Sequence, residues 1–495
     1  MWALVAAWAR AGSGTWACAL FPQTRAACFW RSNRSSASYS RSPFSMNHWA
    51  QRPWQASAWS CFQCWSFPFC LCFRHVVYPR HVDMKTLADT QLSRLADQYG
   101  TPLWVYDGQL IKKRVQQLAA FDTVRFAQKA CSNLHILRLL RDAGAAVDAV
   151  SLGELERALH AGFSAQTAQG TAGVVFTADV FDRATLQRVV EAQVEVNVGS
   201  IDMLHQLGAL SPGHRVWLRI NPGFGHGHSR KTNTGGENSK HGIWHTHLQD
   251  ALKLVRHYRL HLVGLHMHIG SGVDYQHLQQ VCSTMAELVV EMDHDIEAIS
   301  AGGGLSVPYR AGELPINTSH YFAQWDHARK RIEAHLGHPI RLEIEPGRFL
   351  VAQAGVLVSE VRATKHMGGK HFTLVDAGFN DLMRPSLYGS YHEMSLITSR
   401  DEPLPMQETV VAGPLCESGD VFTQAEGGIV ESRLLPVAQV GDYLVFHDAG
   451  AYGASMSSNY NSRTHAAEVL VDDGQERLIR RRQPLDDLLR LEEDC

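Results

Sequence analysis

Three things are scarce in this chain: excess charge of one sign, closely spaced cysteines in its main part, and uninterrupted hydrophobic runs. A net charge of −3 over 495 residues gives no reason to expect a nucleic-acid or membrane partner. After residue 83 the cysteines form no close pair, which fits a reducing compartment such as the cytoplasm. The apolar start, Met1–Leu20, lacks the basic segment of a secretory signal and is interrupted by Arg, Gly and Ser, so it predicts neither a signal peptide nor a membrane span.

The first 83 residues differ in composition from the rest of the chain. They hold eight of the twelve tryptophans, six of the ten cysteines and eight arginines but no lysine, whereas residues 84–495 carry 38 basic and 48 acidic residues. Arginine without lysine and abundant tryptophan are typical of translated upstream GC-rich DNA, so we expect residues 1–83 to be no part of the fold and Met84 to be the true start. Two alternatives stay open. One is an organellar transit peptide, and the other is a zinc knuckle built from Cys61-x-x-Cys64 and the more tightly spaced Cys70-x-Cys72.

From about residue 122, short β-type runs alternate with amphipathic helical patterns. The runs are Val124–Gln128, Ala146–Val150, Val174–Thr177, Val194–Val198, Val216–Asn221, Leu262–His268, Ile296–Ala301 and Ile340–Glu345. The helical segments between them are Leu134–Asp142, Leu152–Ala161, Asp182–Ala192, Ile201–Leu210, His247–His257, Tyr275–Met292 and Tyr321–His335. Eight such repeats predict an α/β fold, a (β/α)8 TIM-type barrel over residues 110–350, with a doubly wound sheet as the alternative.

Beyond residue 350 the pattern changes to apolar or alternating runs separated by Gly, Pro and Asn. These runs are Gly355–Thr364, His371–Asp376, Glu408–Ala412, Gly441–His447 and Glu468–Val471. They predict an all-β C-terminal domain, a barrel or a sandwich, over residues 351–495. We expect the N-terminal segment 84–109 to pair with this domain through Pro102–Tyr106.

Polar residues and glycines collect where the predicted barrel strands end. These ends read Lys129, Asp148, Asn197, Arg219, His268, the run Gly302, Gly303 and Gly304, and the run Glu345, Pro346, Gly347 and Arg348. Active sites of such barrels lie at the C-terminal ends of the strands. Stability alone does not explain this concentration, so the sequence predicts a site at that face.

Several of these strand ends carry the chemistry that one cofactor needs. Lys129 has an amine that can form a Schiff base, and the backbone of Gly302–Gly304 can cradle a phosphate. Glu345 can bond a protonated pyridine nitrogen, while Arg348 can hold a substrate carboxylate. Each has an ordinary alternative, such as a strand-end lysine in water, a tight turn or an ion pair. Together with His268 they predict pyridoxal 5′-phosphate (PLP).

The segment Gly264–Gly272 contains two histidines that strand alternation would point the same way. The flat ring of His268 can stack on a planar cofactor, with Ser271 and nearby amides at its phosphate. A core histidine pair or a metal site built from His266 and His268 is the alternative. No third ligand is evident nearby, so we expect no metal.

Cys416 and Glu417 lie between glycines in Gly413–Asp420, just after the strand-like run Thr409–Val411. The glycines let backbone approach a ligand, the thiol can deliver a proton, and the carboxylate can hold the cationic end of a substrate. A tight turn with an incidental cysteine would be the simpler interpretation of this segment alone. With PLP, an amino acid can lose CO2, and Cys416 is then the candidate donor of the proton that Cα needs.

Together these motifs resemble those of the fold-type III PLP-dependent decarboxylases, which share an alanine racemase-like barrel. The resemblance covers about residues 95–490 and rests on Phe126–Ala130, His266–Gly272, Glu345–Arg348, Asp376–Tyr388, Gly413–Asp420 and Asp448–Asn461, in the family's order. It implies decarboxylation of meso-2,6-diaminopimelate to L-lysine and CO2, the last step of lysine biosynthesis. The chain departs from the family in having Cys131 where an asparagine is common.

The resemblance also implies roles for individual residues. The catalytic residues would be Lys129, which forms the Schiff base, His268 and the proton donor Cys416. The other cofactor contacts would be Asp148, Ser271, Gly302, Gly303, Gly304, Glu345, Pro346, Gly347, Arg348 and Tyr452. The substrate would be bound by Arg348, Arg384, Tyr388, Glu417 and Tyr452. In this family the segment at Cys416 and Glu417 reaches the barrel of a second copy, which implies a homodimer with shared active sites.

Three other hypotheses stay open. The same machinery could decarboxylate another basic amino acid or a carboxylated polyamine, although a diamine product would favour acids where Arg348 and Arg384 stand. A catalytically dead relative that binds a partner protein would be expected to have lost Lys129 or Cys416. A racemase would need a two-base arrangement and lack the Cys-Glu-Ser run.

Overall fold

The computed structural model describes residues 87–166, 170–225, 233–272, 275–292, 294–400 and 403–493. These residues belong to one compact unit. The expectations for residues 1–83 lie outside the described residues. The division of the remainder at residues 110 and 351 stays a prediction.

The described chain begins with a helix and a strand that precede the barrel. These are α1 (Asp89–Tyr99) and β1 (Leu103–Asp107). Every residue of β1 is buried, which fits its position in the middle of a sheet. Asp107 then caps α2 (Gly108–Gln116), because its side chain accepts a hydrogen bond from the N–H of Leu110.

Eight parallel strands close into a barrel. They are β2 (Thr123–Ala127), β3 (Ala146–Ala149), β4 (Val174–Ala178), β5 (Glu195–Val198), β6 (Arg215–Asn221), β8 (His261–His266), β9 (Ala298–Ser300) and β10 (Arg341–Ile344), with a two-residue β7 (Ile243–Trp244) beside β6. The ring closes where β10 pairs with β2, with Glu343 opposite Thr123. The predicted barrel is therefore confirmed, and the doubly wound alternative is wrong. His268 lies two residues beyond the end of β8 rather than on the strand.

The described residues include seven helices around the barrel, and five of them begin at a polar residue whose side chain caps the helix. They are α3 (Leu134–Asp142), α4 (Leu152–His160), α5 (Arg183–Ala192), α6 (Ile201–Leu210), α7 (Leu248–His257), α8 (Tyr275–Glu291) and α9 (Thr318–Leu336). The side chains of Asn133, Ser151, Asp182, Ser200 and Asn317 each accept a hydrogen bond from a first-turn N–H. Such caps satisfy donors that a helix leaves unpaired, and so they fix where each helix starts.

The C-terminal part is mainly β-sheet, as predicted. Its elements are α10 (Arg348–Val351), β11 (Gly355–Met367), β12 (Lys370–Val375), α11 (Arg384–Tyr388), β13 (Met394–Ile397), β14 (Met406–Ala412), β15 (Arg433–Pro436), β16 (Tyr443–Phe446), β17 (Ala467–Asp472), β18 (Gln475–Arg480) and α12 (Asp486–Glu493). The main sheet order is β15-β14-β12-β11-β1-β17-β18. Strand β1 is antiparallel to β11 and parallel to β17, so the N-terminal segment is built into this sheet.

The two ends of the barrel differ in how their charges are paired. At the amino-terminal end, the buried side chains of Arg125 and Glu343 form an ion pair of 2.6 Å. Glu195 accepts hydrogen bonds from both Arg215 and the ring N–H of Trp217. Charges at this end are thus matched within the fold. Within the described ranges, no helix is long and apolar enough to cross a bilayer.

Candidate active site

A cavity of about 1390 Å³ opens at the carboxyl ends of the barrel strands. A smaller cavity of about 60 Å³ shares five of its lining residues. The shared residues are Lys129, His268, Ser271, Arg348 and Tyr452. Arg384 and Tyr388 line the large cavity, while Gly303, Gly304, Glu345 and Gly347 line the small one. The structure therefore brings together most of the residues that the strand ends predicted.

Lys129 stands in a single 3-10 turn, Gln128–Ala130, directly after β2. The buried Gln128 fixes this turn, because its Nε2 donates to the carbonyl of Glu154 at 2.9 Å. The carbonyl of Ala130 accepts the N–H of Tyr452 at 2.8 Å. The amine is therefore carried on an anchored backbone, while its side chain is exposed at the cavity.

Glu345 lies at the floor of the smaller cavity with 11% of its side chain exposed. Its Oε2 lies 2.8 Å from Nε2 of His266, and its Oε1 accepts a hydrogen bond from Oγ of Ser300 at 3.0 Å. Burial alone would raise the pKa of Glu345, but His266, Arg125 and Ser300 together hold it at about 2. Glu345 is therefore an ionised acceptor that can face a protonated ring nitrogen.

Asp148 behaves in the opposite way. It is 2% exposed and lines neither of the two cavities, although it was predicted to contact the cofactor. Burial, followed by the negative charge of Glu345, raises the pKa of Asp148 to about 7, against the opposing effect of Lys129. Two carboxyl groups on neighbouring parts of the barrel are thus held in different protonation states, which is typical of functional sites.

His268 presents a neutral ring to the same cavity. Its Nδ1 accepts a hydrogen bond from the N–H of Gly303 at 3.2 Å, and Oγ1 of Thr234 donates to its carbonyl at 2.9 Å. Burial, then the nearby charges of Arg219 and Lys129, hold the pKa of His268 well below its usual value. A neutral, anchored imidazole can lie against a planar cofactor without adding a charge.

The glycine run beside His268 leaves room that no other residue would leave. A Cβ on Gly302 would lie 2.3 Å from the carbonyl oxygen of Met267, and one on Gly304 would lie 2.6 Å from that of Gly270. Oγ of Ser271 is buried and has no hydrogen-bond partner among the described residues. A tight backbone cradle with an unused hydroxyl fits the phosphate of PLP.

Two arginines, the buried Arg384 and the partly buried Arg348, complete the wall of the large cavity. Nη1 of Arg348 donates to Oη of Tyr309 at 3.1 Å, and Nη1 of Arg384 lies 3.0 Å from Nε2 of His392. The Arg384 guanidinium also lies over the ring of Tyr309, 4.9 Å from its centroid. In the described part of the chain, no carboxylate forms an ion pair with either guanidinium. Cations that are buried or partly buried without acidic partners indicate that an anion binds there.

Cys416 and Glu417 are not brought to this cavity within one chain. Both are exposed, and neither lines it. The N–H of Cys416 donates to Oδ1 of Asn461 at 2.9 Å, and Oη of Tyr460 donates to Glu417 at 3.4 Å. Asp420 braces the turn from inside, since its Oδ2 accepts the N–H of Leu415 at 2.7 Å. The turn is thus well anchored and presents its thiol outward.

Sequence reasoning missed three supporting residues, namely His266 as the partner of Glu345, Tyr309, and His392. The strand alternation around His266 suggested a metal or core role, but its acidic partner lies 79 residues away in the chain. No group of three or more potential metal ligands occurs among the described residues. Tyr309 and His392 come from loops, where no periodic pattern marks a contact.

Comparisons with known proteins agree with this geometry. Residues 108–352 match the family described as "Pyridoxal-dependent decarboxylase, pyridoxal binding domain". The chain is 64% identical over 409 residues to the diaminopimelate decarboxylase of Escherichia coli (strain K12), which covers 82% of this chain and 97% of that protein. A crystal structure of a diaminopimelate decarboxylase matches with a TM-score of 0.80 and 63% identity, over 82% of this chain and 98% of that one. The crystal structure of the Helicobacter pylori diaminopimelate decarboxylase complexed with L-lysine matches with a TM-score of 0.73 and 30% sequence identity. This match covers 81% of this chain and 99% of that one.

Proposed function

This chain belongs to the diaminopimelate decarboxylase family of pyridoxal-dependent enzymes, and from that premise we propose how its residues act. It removes one carboxylate of meso-2,6-diaminopimelate as CO2 and leaves L-lysine. The observation that carries this function is the pair of guanidiniums, the buried one of Arg384 and the partly buried one of Arg348, beside the lysine of a PLP-type site. We further propose that the enzyme works in the cytoplasm, since Cys131, Cys282 and Cys416 are free thiols.

The residues present fit PLP. When bound, PLP supplies an electron-accepting ring that takes up the electron pair left on Cα as CO2 departs. Lys129 would hold the cofactor through its amine, and Glu345 would bond the ring nitrogen. His268 would lie against the ring, and Ser271 with the amides of Gly302–Gly304 would bind the phosphate. The unused hydroxyl of Ser271 and the ionised state of Glu345 support these assignments.

Arg348 and Arg384 would bind the carboxylate at the substrate end that is kept. Two guanidiniums can match a carboxylate through parallel N–H donors, and a buried setting strengthens the attraction. Tyr388 and Tyr452 line the same cavity and would close around the substrate chain. A substrate without the second amino-carboxylate end would leave these two cations unpaired, at a cost that favours diaminopimelate over a simple diamino acid.

The proton that Cα requires would come from the Cys416 thiol, with Glu417 holding the distal ammonium group. Neither residue lines the cavity of its own chain, so we propose a homodimer in which each turn serves the barrel of the other copy. The braced and exposed turn supports this arrangement, because a protruding rigid element can enter a facing cavity without reorganising.

The direct test is CO2 release by the purified full chain supplied with PLP. We expect release from the meso isomer of diaminopimelate, with L-lysine as the product, and much less from the LL and DD isomers. Ornithine and arginine serve as controls for the alternative specificity. Turnover of ornithine or arginine above that of diaminopimelate would overturn the proposed substrate and leave the PLP site standing.

The shared site has its own test. Lys129→Ala and Cys416→Ala proteins, each nearly inactive, are mixed, dissociated and allowed to reassociate. In a two-fold symmetric dimer, random mixing gives about half heterodimers, each with one intact site, so activity should rise to about a quarter of wild type. Activity that stays at the level of the separate variants would contradict a site shared between two chains.

A further inference from the structure

We infer that His392 is a positioning residue for Arg384, which it holds with its guanidinium turned to the substrate carboxylate. The inference rests on the proposed function and concerns how one of its binding groups is oriented. His392 does not line the cavity, so it acts through Arg384 rather than by touching the substrate.

The contact between the two side chains is short and fully enclosed. Nη1 of Arg384 lies 3.0 Å from Nε2 of His392. His392 is 0% exposed and Arg384 is 3% exposed, so water cannot replace either partner. On its other side, Nδ1 of His392 lies 2.9 Å from the carbonyl oxygen of His447. The imidazole therefore bridges the arginine to the backbone at the end of strand β16.

These two contacts select one form of the histidine. A guanidinium has only donors, so Nε2 of His392 must accept. A carbonyl oxygen has only acceptor lone pairs, so Nδ1 must carry the proton and donate to His447. A proton on Nε2 would place two N–H groups against each other. His392 is thus a neutral imidazole with its hydrogen on Nδ1.

The charges around His392 favour the same neutral form. The charged side chains that act most strongly on His392 are cations: Arg384 at its Nε2, Arg433 donating to its backbone carbonyl, and Arg348 further away. Burial, followed by the charge of Arg384, holds the pKa of His392 well below its usual value. The ring of Tyr309 meets the imidazole edge-on, with centroids 5.8 Å apart. The hydrogen bond to the carbonyl of His447 acts in the opposite direction, but burial and the nearby cations outweigh it, so the imidazole stays neutral.

The consequence for Arg384 is geometric. One of its N–H groups is committed to His392, and its planar face lies on Tyr309, which together fix the plane of the guanidinium. The donors that remain are the ones available to an anion in the cavity. Without the acceptor, a buried N–H would be left unpaired, and the side chain would turn to recover a hydrogen bond. Its fork would then no longer match a carboxylate.

The test compares two replacements of His392 in the full-length holoenzyme. Leucine removes the acceptor, and we expect His392→Leu to raise KM for meso-diaminopimelate by about tenfold or more, with kcat changed much less. Glutamine offers both a carbonyl oxygen to Arg384 and an N–H to His447, so His392→Gln should restore KM to within about threefold of wild type. PLP affinity and its visible spectrum should stay unchanged in both.

A matched control and a measurement without turnover complete the design. His214 is also buried, with Nε2 2.8 Å from the carbonyl of Val194, but it lies before β6, and His214→Leu should leave KM unchanged. Nitrogen NMR of labelled histidine, assigned by difference from His392→Gln, should show one imidazole protonated on Nδ1 that does not titrate between about pH 5 and 9.

The possible results distinguish failure of the proposed function from failure of the positioning role of His392. If wild type releases no CO2 from diaminopimelate, the proposed function fails. If wild type is active but His392→Leu keeps a normal KM, or if leucine and glutamine lose activity equally together with PLP, the positioning role is wrong. If His392→Leu does not fold, His392→Gln and the NMR signal decide, and an imidazole that titrates near neutral pH would refute the inference.

Discussion

Replacing Asp148 with asparagine should change how the stability of the cofactor-free protein depends on pH. The carboxyl group is 2% exposed, and its Oδ1 has no hydrogen-bond partner among the described residues. Burial, then the charge of Glu345, raises its pKa from an ordinary 3.8 to about 7, although Lys129 and Thr177 oppose the shift. In the folded protein Asp148 therefore keeps its proton up to about neutral pH, whereas in the unfolded chain it loses the proton near pH 3.8.

The sign and size of the effect follow from these two values. A pKa that is raised on folding stabilises the folded state at low pH, and this contribution is lost as the pH rises through the folded value. Asp148 should contribute about 2 kcal/mol more to the free energy of unfolding at about pH 5.5 than at about pH 8.5. Asparagine has the shape of the neutral acid and no proton to lose. The stability of Asp148→Asn relative to wild type should therefore rise by about 2 kcal/mol between about pH 5.5 and about pH 8.5.

The measurement is urea unfolding of both apoproteins at the two pH values, followed by circular dichroism. Asp182→Asn is the matched control, because Asp182 is an exposed helix cap whose pKa is lowered by its hydrogen bonds to Thr185, and asparagine also caps helices well. Its difference from wild type should be the same at both pH values. A constant difference for Asp148→Asn as well would mean that Asp148 is ionised throughout, and the reasoning would be refuted.

Three further predictions concern the reaction and the extent of the working chain. Lys129→Ala should abolish the visible absorption band of lysine-bound PLP and almost all turnover, whereas Lys253→Ala on the surface should change neither; a normal band in the first variant would contradict its assigned role. Cys416→Ala should lower kcat by about 10²–10⁴-fold while PLP stays bound, with Cys282→Ala as the control, and loss of PLP would indicate a structural role instead. A chain that begins at Met84 should keep kcat/KM unchanged, and a large loss would show that the first 83 residues contribute.

The fold was predictable where burial imposes a strong pattern. The barrel strands are short apolar runs between capped helices, and both signals are local in the sequence. The strands β13, β15 and β18 were not predicted, because they are partly exposed and have at most two apolar residues in succession; in Gln475–Arg480, for example, three of the six residues are charged. Pairing with a neighbouring strand overrides such weak local preference.

The part of the candidate site that lies at the ends of the barrel strands was also predictable from the sequence. In a barrel, strand ends converge at one mouth, so Lys129, His268 and Glu345 could be placed together from their positions alone. The residues that hold these side chains and the substrate-binding arginines in position could not be identified in this way. His392 stands only eight positions after Arg384, yet nothing in the sequence separates a buried acceptor from a histidine on the surface. The role of His392 depends on its burial and on the need of Arg384 for a hydrogen-bond acceptor. Both are properties of the folded chain and cannot be read from the sequence.

The two ends of the barrel differ in whether their arginines have acidic partners. Both ends contain arginines and acids, so composition alone does not distinguish them. At one end Arg125 and Glu343 form a buried ion pair, and the attraction between the two charges offsets the free-energy cost of removing them from water. At the other end, no carboxylate of the described residues forms an ion pair with the buried Arg384 or the partly buried Arg348, although removing an unpaired cation from water is strongly unfavourable. We therefore propose that these two cations bind an anion from outside the chain, namely the carboxylate that the substrate keeps.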